Sequence, residues 1–233
     1  MRIAVVIPAY NESASISKVI AEIQLLNSNA AHQYTPVVVN DCSTDETGSI
    51  IEKLTCVALN LPVNLGIGGA VQTGFKYAFE NNFDYAVQVD GDGQHPAEDI
   101  PRLLEYALQN NLDVTIGSRF ITGDGFQSSA FRRAGIKWFT ILNRMLTGVT
   151  VYDSTSGFRL LNKKALEVVA EYYPDEYPEP EAIILYAAKH LSIGEVQVKM
   201  RERQGGTSSI NSFKAIYYMW KVTLGVIFSK IRN

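Results

Sequence analysis

Four short apolar runs, RIAVVI at 2–7, YTPVVV at 34–39, DYAVQV at 84–89 and DVTIG at 113–117, alternate with amphipathic stretches near 13–26, 45–54, 68–80 and 97–109. No other feature narrows the fold so far. Strand, helix, strand in repetition requires a parallel sheet covered by helices on both faces, and such sheets bind ligands beyond the carboxyl ends of their strands. The polar oddities fall at those ends: PAYNE at 8–12, NDCSTD at 40–45 and DGDGQHP at 90–96. A mostly parallel α/β sheet flanked by helices is therefore expected over residues 1–211, with an amphipathic C-terminal segment at 212–233.

With 233 residues, 46% hydrophobic and 19% charged, the chain has material for an ordinary packed domain. A net charge of −3 argues against a nucleic-acid partner held by bulk charge. Cys42 and Cys56 follow no metal spacing and flank strand-like runs, so reduced thiols and a cytoplasmic setting are expected. The N-terminal apolar run stops at Pro8, too short for a secretory signal.

In DGDGQHP, Asp90 and Asp92 stand one residue apart at a strand end and repel unless a cation or ligand donors sit between them. A polar turn with Pro96 opening the next helix explains the glycines and proline but not two acids aimed at one place. The oxygens of Asp90, Asp92 and Gln94 are hard ligands suited to Mg2+ or Mn2+, while His95 reads as a turn or supporting residue. In NDCSTD, helix capping accounts for Ser43, Thr44 or Asp45 but not for Asp41 upstream of them. The run NLGIGGAVQTG at 64–74 lacks the third glycine of a dinucleotide fingerprint; it reads either as a flexible turn whose small residues pack the start of a helix or as a place, at Gly68, where backbone approaches a ligand.

Beyond Gly123 the alternation loosens, and basic residues gather. Arg132, Arg133 and Lys137 lie on a stretch that is either a solvated helix face or an anion site. RERQGGTSS at 201–209 reads either as a surface hairpin or as a lid closing on a diphosphate.

IPAYNE, VNDCSTDET, NLGIGGAVQTG, VDGDGQHP, GSRF, DSTSGFR and RERQGGTSS, in that order, resemble the family 2 inverting glycosyltransferases of the GT-A (nucleotide-diphospho-sugar transferase) fold. Among these the chain is similar to the polyprenyl-phosphate glycosyltransferases, relatives of dolichyl-phosphate mannose synthase. The resemblance implies that Pro8, Ala9, Tyr10, Glu12 and Asp41 hold the nucleoside of a sugar nucleotide. It implies that Asp90 contacts nucleotide and metal and that Asp92 and Gln94 bind the metal. Arg119, Arg132 with Lys137, and Arg203 with Ser208 would meet donor diphosphate or acceptor phosphate. Arg133 joins the acceptor cluster.

The expected reaction moves a sugar, GlcNAc or glucose, from a UDP-sugar to a polyprenyl (undecaprenyl) phosphate at the cytoplasmic membrane face, with inversion and a divalent metal. A phosphate acceptor is already ionised and needs no strong base, so Asp92, Arg132 and Arg203 would carry the chemistry. A saccharide hydroxyl acceptor would need a carboxylate base, for which Asp153 is the candidate. The other rival is a non-catalytic nucleotide-binding subunit of a membrane complex.

In SFKAIYYMWKVTLGVIFSKIRN, the residues Phe213, Ile216, Tyr217, Trp220, Leu224, Ile227, Phe228 and Ile231 recur at helical spacing. Lys221 interrupts the run too centrally for a membrane span. The segment reads either as a terminal helix packed on the sheet or as an interfacial helix on anionic lipid. Because one such helix binds reversibly, a small integral membrane partner or self-association is expected to supply a second anchor.

Overall fold

The computed structural model describes residues 1–28, 31–121, 130–175, 178–201 and 212–232. Seven strands form one sheet in the order β3-β2-β1-β4-β6-β5-β7. They are β1 (Arg2–Ala9), β2 (Gln33–Asn40), β3 (Val57–Asn60), β4 (Tyr85–Gln88), β5 (Val114–Ser118), β6 (Arg159–Asn162) and β7 (Ile193–Gln197). Every pairing is parallel except the two made by β6, which runs antiparallel between β4 and β5. The helices are α1 (Ile16–Leu26), α2 (Thr47–Ile51), α3 (Gly66–Glu80), α4 (Ile100–Asn110), α5 (Ala130–Thr147), α6 (Lys163–Glu171), α7 (Pro178–Ala188) and α8 (Ser212–Arg232).

Alternate residues of each strand feed two cores, which is why the strand sequences read as continuous apolar runs. Ile3, Val5, Ile7 and Val87 meet Ile16, Ile20, Ile100 and Leu103 on one face. Ala4, Val6, Val37 and Ala86 meet Val71, Phe75, Leu166 and Ile183 on the other. Close approach decides Gly74 in α3: a Cβ there would lie 2.2 Å from Val6 Cγ1.

The expected first half is present. The strands β3, β6 and β7 were not anticipated: β6 is only four residues long, and β3, next to β2, is an edge strand. The antiparallel course of β6 matters for the site, because it delivers the start of that strand, Arg159, to the same end of the sheet as the carboxyl ends of β4 and β5.

Helix α8 packs on α5 and α7. Val222 and Val226 are fully buried in a small core with Phe139 and Ile184, and Ser229 is buried beside them. Trp220, Phe228 and Ile231 point outward at 65%, 63% and 75% exposure. Trp220, Phe228 and Ile231 of the apolar face read from the sequence are therefore outward residues, and the packing on α5 and α7 is done by Val222 and Val226 of the neighbouring stripe. The side chains of Phe213, Ile216 and Tyr217 lie outside the described residues. Trp138, Ile141 and Met145 of α5 are also exposed, and Trp138 Nε1 donates to Thr223 Oγ1 of α8 at 3.1 Å. Among the described residues no helix is long and apolar enough to cross a membrane.

Candidate active site

The loops after β1 and β2 are joined to each other. Asn11, held at φ 57°, accepts on its side-chain Oδ1 from the N–H groups of Thr44 (2.8 Å) and Asp45 (3.3 Å) and donates its own main-chain N–H to Ser43 Oγ at 3.0 Å. Glu12 N donates to Thr47 Oγ1 at 2.9 Å, and Glu12 Oε2 accepts from Ser15 Oγ. Asp45 caps the start of α2 through Thr47 N; burial opposes its ionisation, but hydrogen bonds from Thr47 and Ser13 bring it down to about 2. These contacts leave Pro8 and Ala9 at the strand end with the Tyr10 ring half exposed beside them.

Asp41 is buried and its carboxylate accepts from Leu65 N (2.7 Å) and Gly66 N (2.9 Å), the opening turn of α3. A negative charge there suits the positive end of the helix. Each oxygen keeps a second lone pair, so a donor on a ligand can still be accepted. Gly68 has another cause than ligand approach: a Cβ on it would lie 2.3 Å from the carbonyl oxygens of Pro174 and Asp175, which cross over it.

The DGDGQHP turn closes on itself. Gln94 N donates to Asp92 Oδ1 at 3.0 Å, Asp90 N donates to His95 Nδ1 at 3.0 Å, and Gly93 takes φ 77°. Asp90 remains partly exposed at 36% of its side chain, whereas Asp92 is buried. A Cβ on Gly91 would crowd Pro8 O at 3.2 Å, so the turn lies directly against the end of β1. Arg201 N donates to Gln94 O, and its guanidinium pairs with Glu22 at 2.8 Å, which ties the start of the 201–209 segment beside the turn.

The DSTSGFR loop forms the opposite wall. Arg119 and Asp153 make a bidentate pair, Nε to Oδ2 and Nη2 to Oδ1 both at 2.7 Å, and Arg119 N adds a third bond at 3.0 Å. Asp153 is fully buried and Arg119 is 8% exposed. The expectation of Asp153 as a base therefore does not fit this geometry, since both of its oxygens are turned into the protein. Arg119 likewise spends its fork on Asp153 and Thr155 instead of facing a diphosphate. Glu195 of β7 accepts from Tyr152 N (2.7 Å) and Asp153 N (2.9 Å); burial pushes its carboxyl up against the pull of these bonds. Ser156 Oγ donates to Gly117 O, and the buried Arg159 donates to the carbonyls of Ser156 and Ser154. So held, the loop brings Gly157 to the acidic turn, where a Cβ would meet Gln88 Nε2 at 2.7 Å and Asp90 Oδ1 at 3.5 Å.

Sequence reading missed Glu179, at the start of α7. Burial raises its pKa, Arg159 opposes the rise, and the charge of Asp90 adds to it. The Pro-Glu-Pro-Glu run at 178–181 was the available signal. Lys137 of α5 is exposed; the side chains of Arg132 and Arg133, and both Arg203 and Ser208, lie outside the described residues.

Among the described residues no cluster of three or more His, Cys, Asp and Glu side chains stands ready for a metal. Two carboxylates and an amide within one turn nevertheless fit a small hard cation, which typically takes one or two protein carboxylates and completes its shell with substrate phosphates and water.

A mostly parallel sheet with one antiparallel insertion, two joined loops at its carboxyl edge and an acidic turn facing them make up an α/β architecture of the GT-A type. The model of Glycosyl transferase family 2 matches residues 4–169, and the chain belongs to that family of glycosyltransferases. It is 30% identical to the UDP-N-acetylglucosamine--dolichyl-phosphate N-acetylglucosaminyltransferase of Methanococcus voltae, over 97% of each chain. It is 28% identical to the polyprenol monophosphomannose synthase of Mycolicibacterium smegmatis, over 95% of this chain and 85% of that one. In fold it is similar to glucosyl-3-phosphoglycerate synthase from Mycobacterium tuberculosis, crystallised with Mn2+, UDP-glucose and phosphoglyceric acid. The TM-score is 0.72 at 19% identity, covering 98% of this chain and 79% of the other.

Proposed function

We propose that the chain transfers GlcNAc from UDP-GlcNAc to a polyprenyl phosphate, undecaprenyl phosphate in particular, at the cytoplasmic face of a membrane, with inversion at the anomeric carbon. The observation that carries this reading is the end-to-end similarity to a transferase named for a UDP-GlcNAc donor and a dolichyl-phosphate acceptor. Glucose is the second candidate for the sugar.

In this reading the joined loops hold the nucleoside through Pro8, Ala9, Tyr10, Glu12 and Asp41. Asp90, Asp92 and Gln94 would hold Mg2+ or Mn2+, which supplies positive charge to the departing diphosphate. Asp90 orients the donor, and the Arg119–Asp153 pair keeps the wall behind it rigid. Arg132, Arg133, Lys137, Arg203 and Ser208 are assigned to the phosphates of acceptor and donor. An ionised phosphate oxygen attacks without surrendering a proton, so the protein must position charge more than move protons. The exposed residues of α8 would rest in the headgroup region, with α5 beside them, and a small membrane partner or a second copy would add the second anchor.

A saccharide hydroxyl acceptor remains the rival, favoured by Glu179: its raised carboxyl near Asp90 is the group that would accept the hydroxyl proton. The deciding experiment incubates the chain with Mn2+, labelled UDP-GlcNAc, UDP-glucose or GDP-mannose, and undecaprenyl phosphate. Acid-labile label in the organic phase with UDP-GlcNAc supports the proposal. Label transferred only to water-soluble saccharide, or only from GDP-mannose, refutes it.

A further inference from the structure

We propose that His95 is a positioning residue for Asp90, locked in a single tautomer that fixes both the main chain and the carboxylate of that residue; the inference rests on Asp90 belonging to the donor site. The main-chain N–H of Asp90 points at His95 Nδ1 at 3.0 Å. An amide N–H only donates, so Nδ1 must present its lone pair, and the proton of the neutral ring then sits on Nε2. That nitrogen lies 3.7 Å from Asp90 Oδ2. The separation is too long for a direct hydrogen bond but short enough for the N–H dipole to face the carboxylate across a partly desolvated gap. One ring thus addresses Asp90 twice, at its backbone and at its charge. The same assignment removes His95 from any ligand set, since one nitrogen is spent as an acceptor and the other carries the proton.

The ring has no freedom to swing away. It is 3% exposed and stacks on Phe158 with centroids 5.0 Å apart and planes 14° from parallel. Phe158 is fully buried and rests on Gly117, where a Cβ would come within 2.7 Å of its ring. The chain of contact therefore runs from β5 through Phe158, at the threshold of β6, to His95 and on to Asp90. Residues 90–95 close into a turn whose geometry is set from the sheet instead of by the turn alone.

Three substitutions separate the two contacts. His95→Phe keeps the stack and loses both. His95→Asn places an amide oxygen near the Nδ1 position and restores only the backbone acceptor. His95→Gln places an amide nitrogen near Nε2 and restores only the donor facing the carboxylate. Calorimetric titration of Mn2+ and UDP, without acceptor, reads the donor site directly. Thermal melting reads the fold, and donor KM, acceptor KM and kcat are taken separately. His95→Phe should weaken Mn2+-dependent UDP binding by about 10- to 100-fold, the usual effect of removing an outer partner of a ligand. Acceptor KM should stay unchanged, and Asn and Gln should each recover part of the loss. Ring-nitrogen NMR of the unsubstituted chain should show a protonated Nε2 and a bare Nδ1, a readout that survives even if a variant fails to fold. The opposite tautomer overturns the proposal, as does a His95→Phe chain that melts lower yet binds UDP and Mn2+ normally. If the unsubstituted chain binds no UDP, the donor-site premise and the inference fall together. If it binds UDP in a His95-dependent way but labels no lipid, only the acceptor assignment falls.

Discussion

Asp153→Asn tests whether the Arg119–Asp153 pair is architecture or chemistry. The substitution is nearly isosteric but removes the negative charge that accepts three bonds from Arg119, at 3.0, 2.7 and 2.7 Å. Arg119 is then left 8% exposed with no carboxylate in its fork. Breaking one side of a buried pair costs about 3–5 kcal/mol, because a desolvated charge is stranded. For a domain of this size each kcal/mol shifts the melting temperature by about 2–4 °C, so a fall of roughly 6–20 °C is expected. Removing both charges together, with Arg119→Gln added, should cost less than the sum of the single changes, since no stranded ion remains. The assay is a thermal or denaturant melt of the three variants beside initial rates at a temperature where all are folded. A chain that melts within 2 °C of the original (about 1 kcal/mol or less by the same scaling) but loses transfer to a hydroxyl acceptor would refute the reasoning and return Asp153 to the role of base.

Asp92→Asn should leave melting nearly unchanged in the absence of ligand while Mn2+ no longer strengthens UDP binding; full activity of this variant in chelator would remove the metal from the scheme. Arg132→Ala should raise acceptor KM by about 10- to 150-fold, the equivalent of a lost charge-assisted contact of about 1.5–3 kcal/mol, and an effect confined to the donor would move Arg132 to the diphosphate. Glu179 titrates above its ordinary 4.5 in the folded chain, so its contribution to stability is complete below that value and declines as pH rises through the raised one. Glu179→Gln should flatten this decline in melts followed from below pH 4.5 upward, and an unaltered slope would show that another group sets it. Trp220→Ser with Phe228→Ser should lower binding to anionic vesicles without lowering the melting temperature, whereas Val226→Asp should do the reverse; vesicle binding that ignores the outward pair would end the interfacial reading.

Much was decided by local pattern. Alternation of apolar strands with amphipathic helices is set by the period of side chains along each element, so β1, β2, β4 and β5 and the position of the polar loops at their carboxyl ends were legible in the sequence. The acidic turn was legible for the same reason: Asp90, Asp92 and Gln94 lie within five residues, and their spacing is a local property. What pairs across the chain was not. Arg119 meets Asp153 over a separation of 34 residues, and Glu195 reaches back 42 residues to the N–H of Asp153. No periodicity encodes such meetings; they follow from inserting β6 antiparallel between β4 and β5, which turns two charged motifs toward each other and away from solvent. The same holds at the C-terminus. Helical spacing announced an apolar face on α8, but two adjacent stripes were available, and only contact with Phe139 and Ile184 selected Val222 and Val226 for the interior and left Trp220 and Phe228 outside. Local sequence decides which residues can share a face; the neighbouring surface that excludes water from one of those faces exists only once the chain has folded.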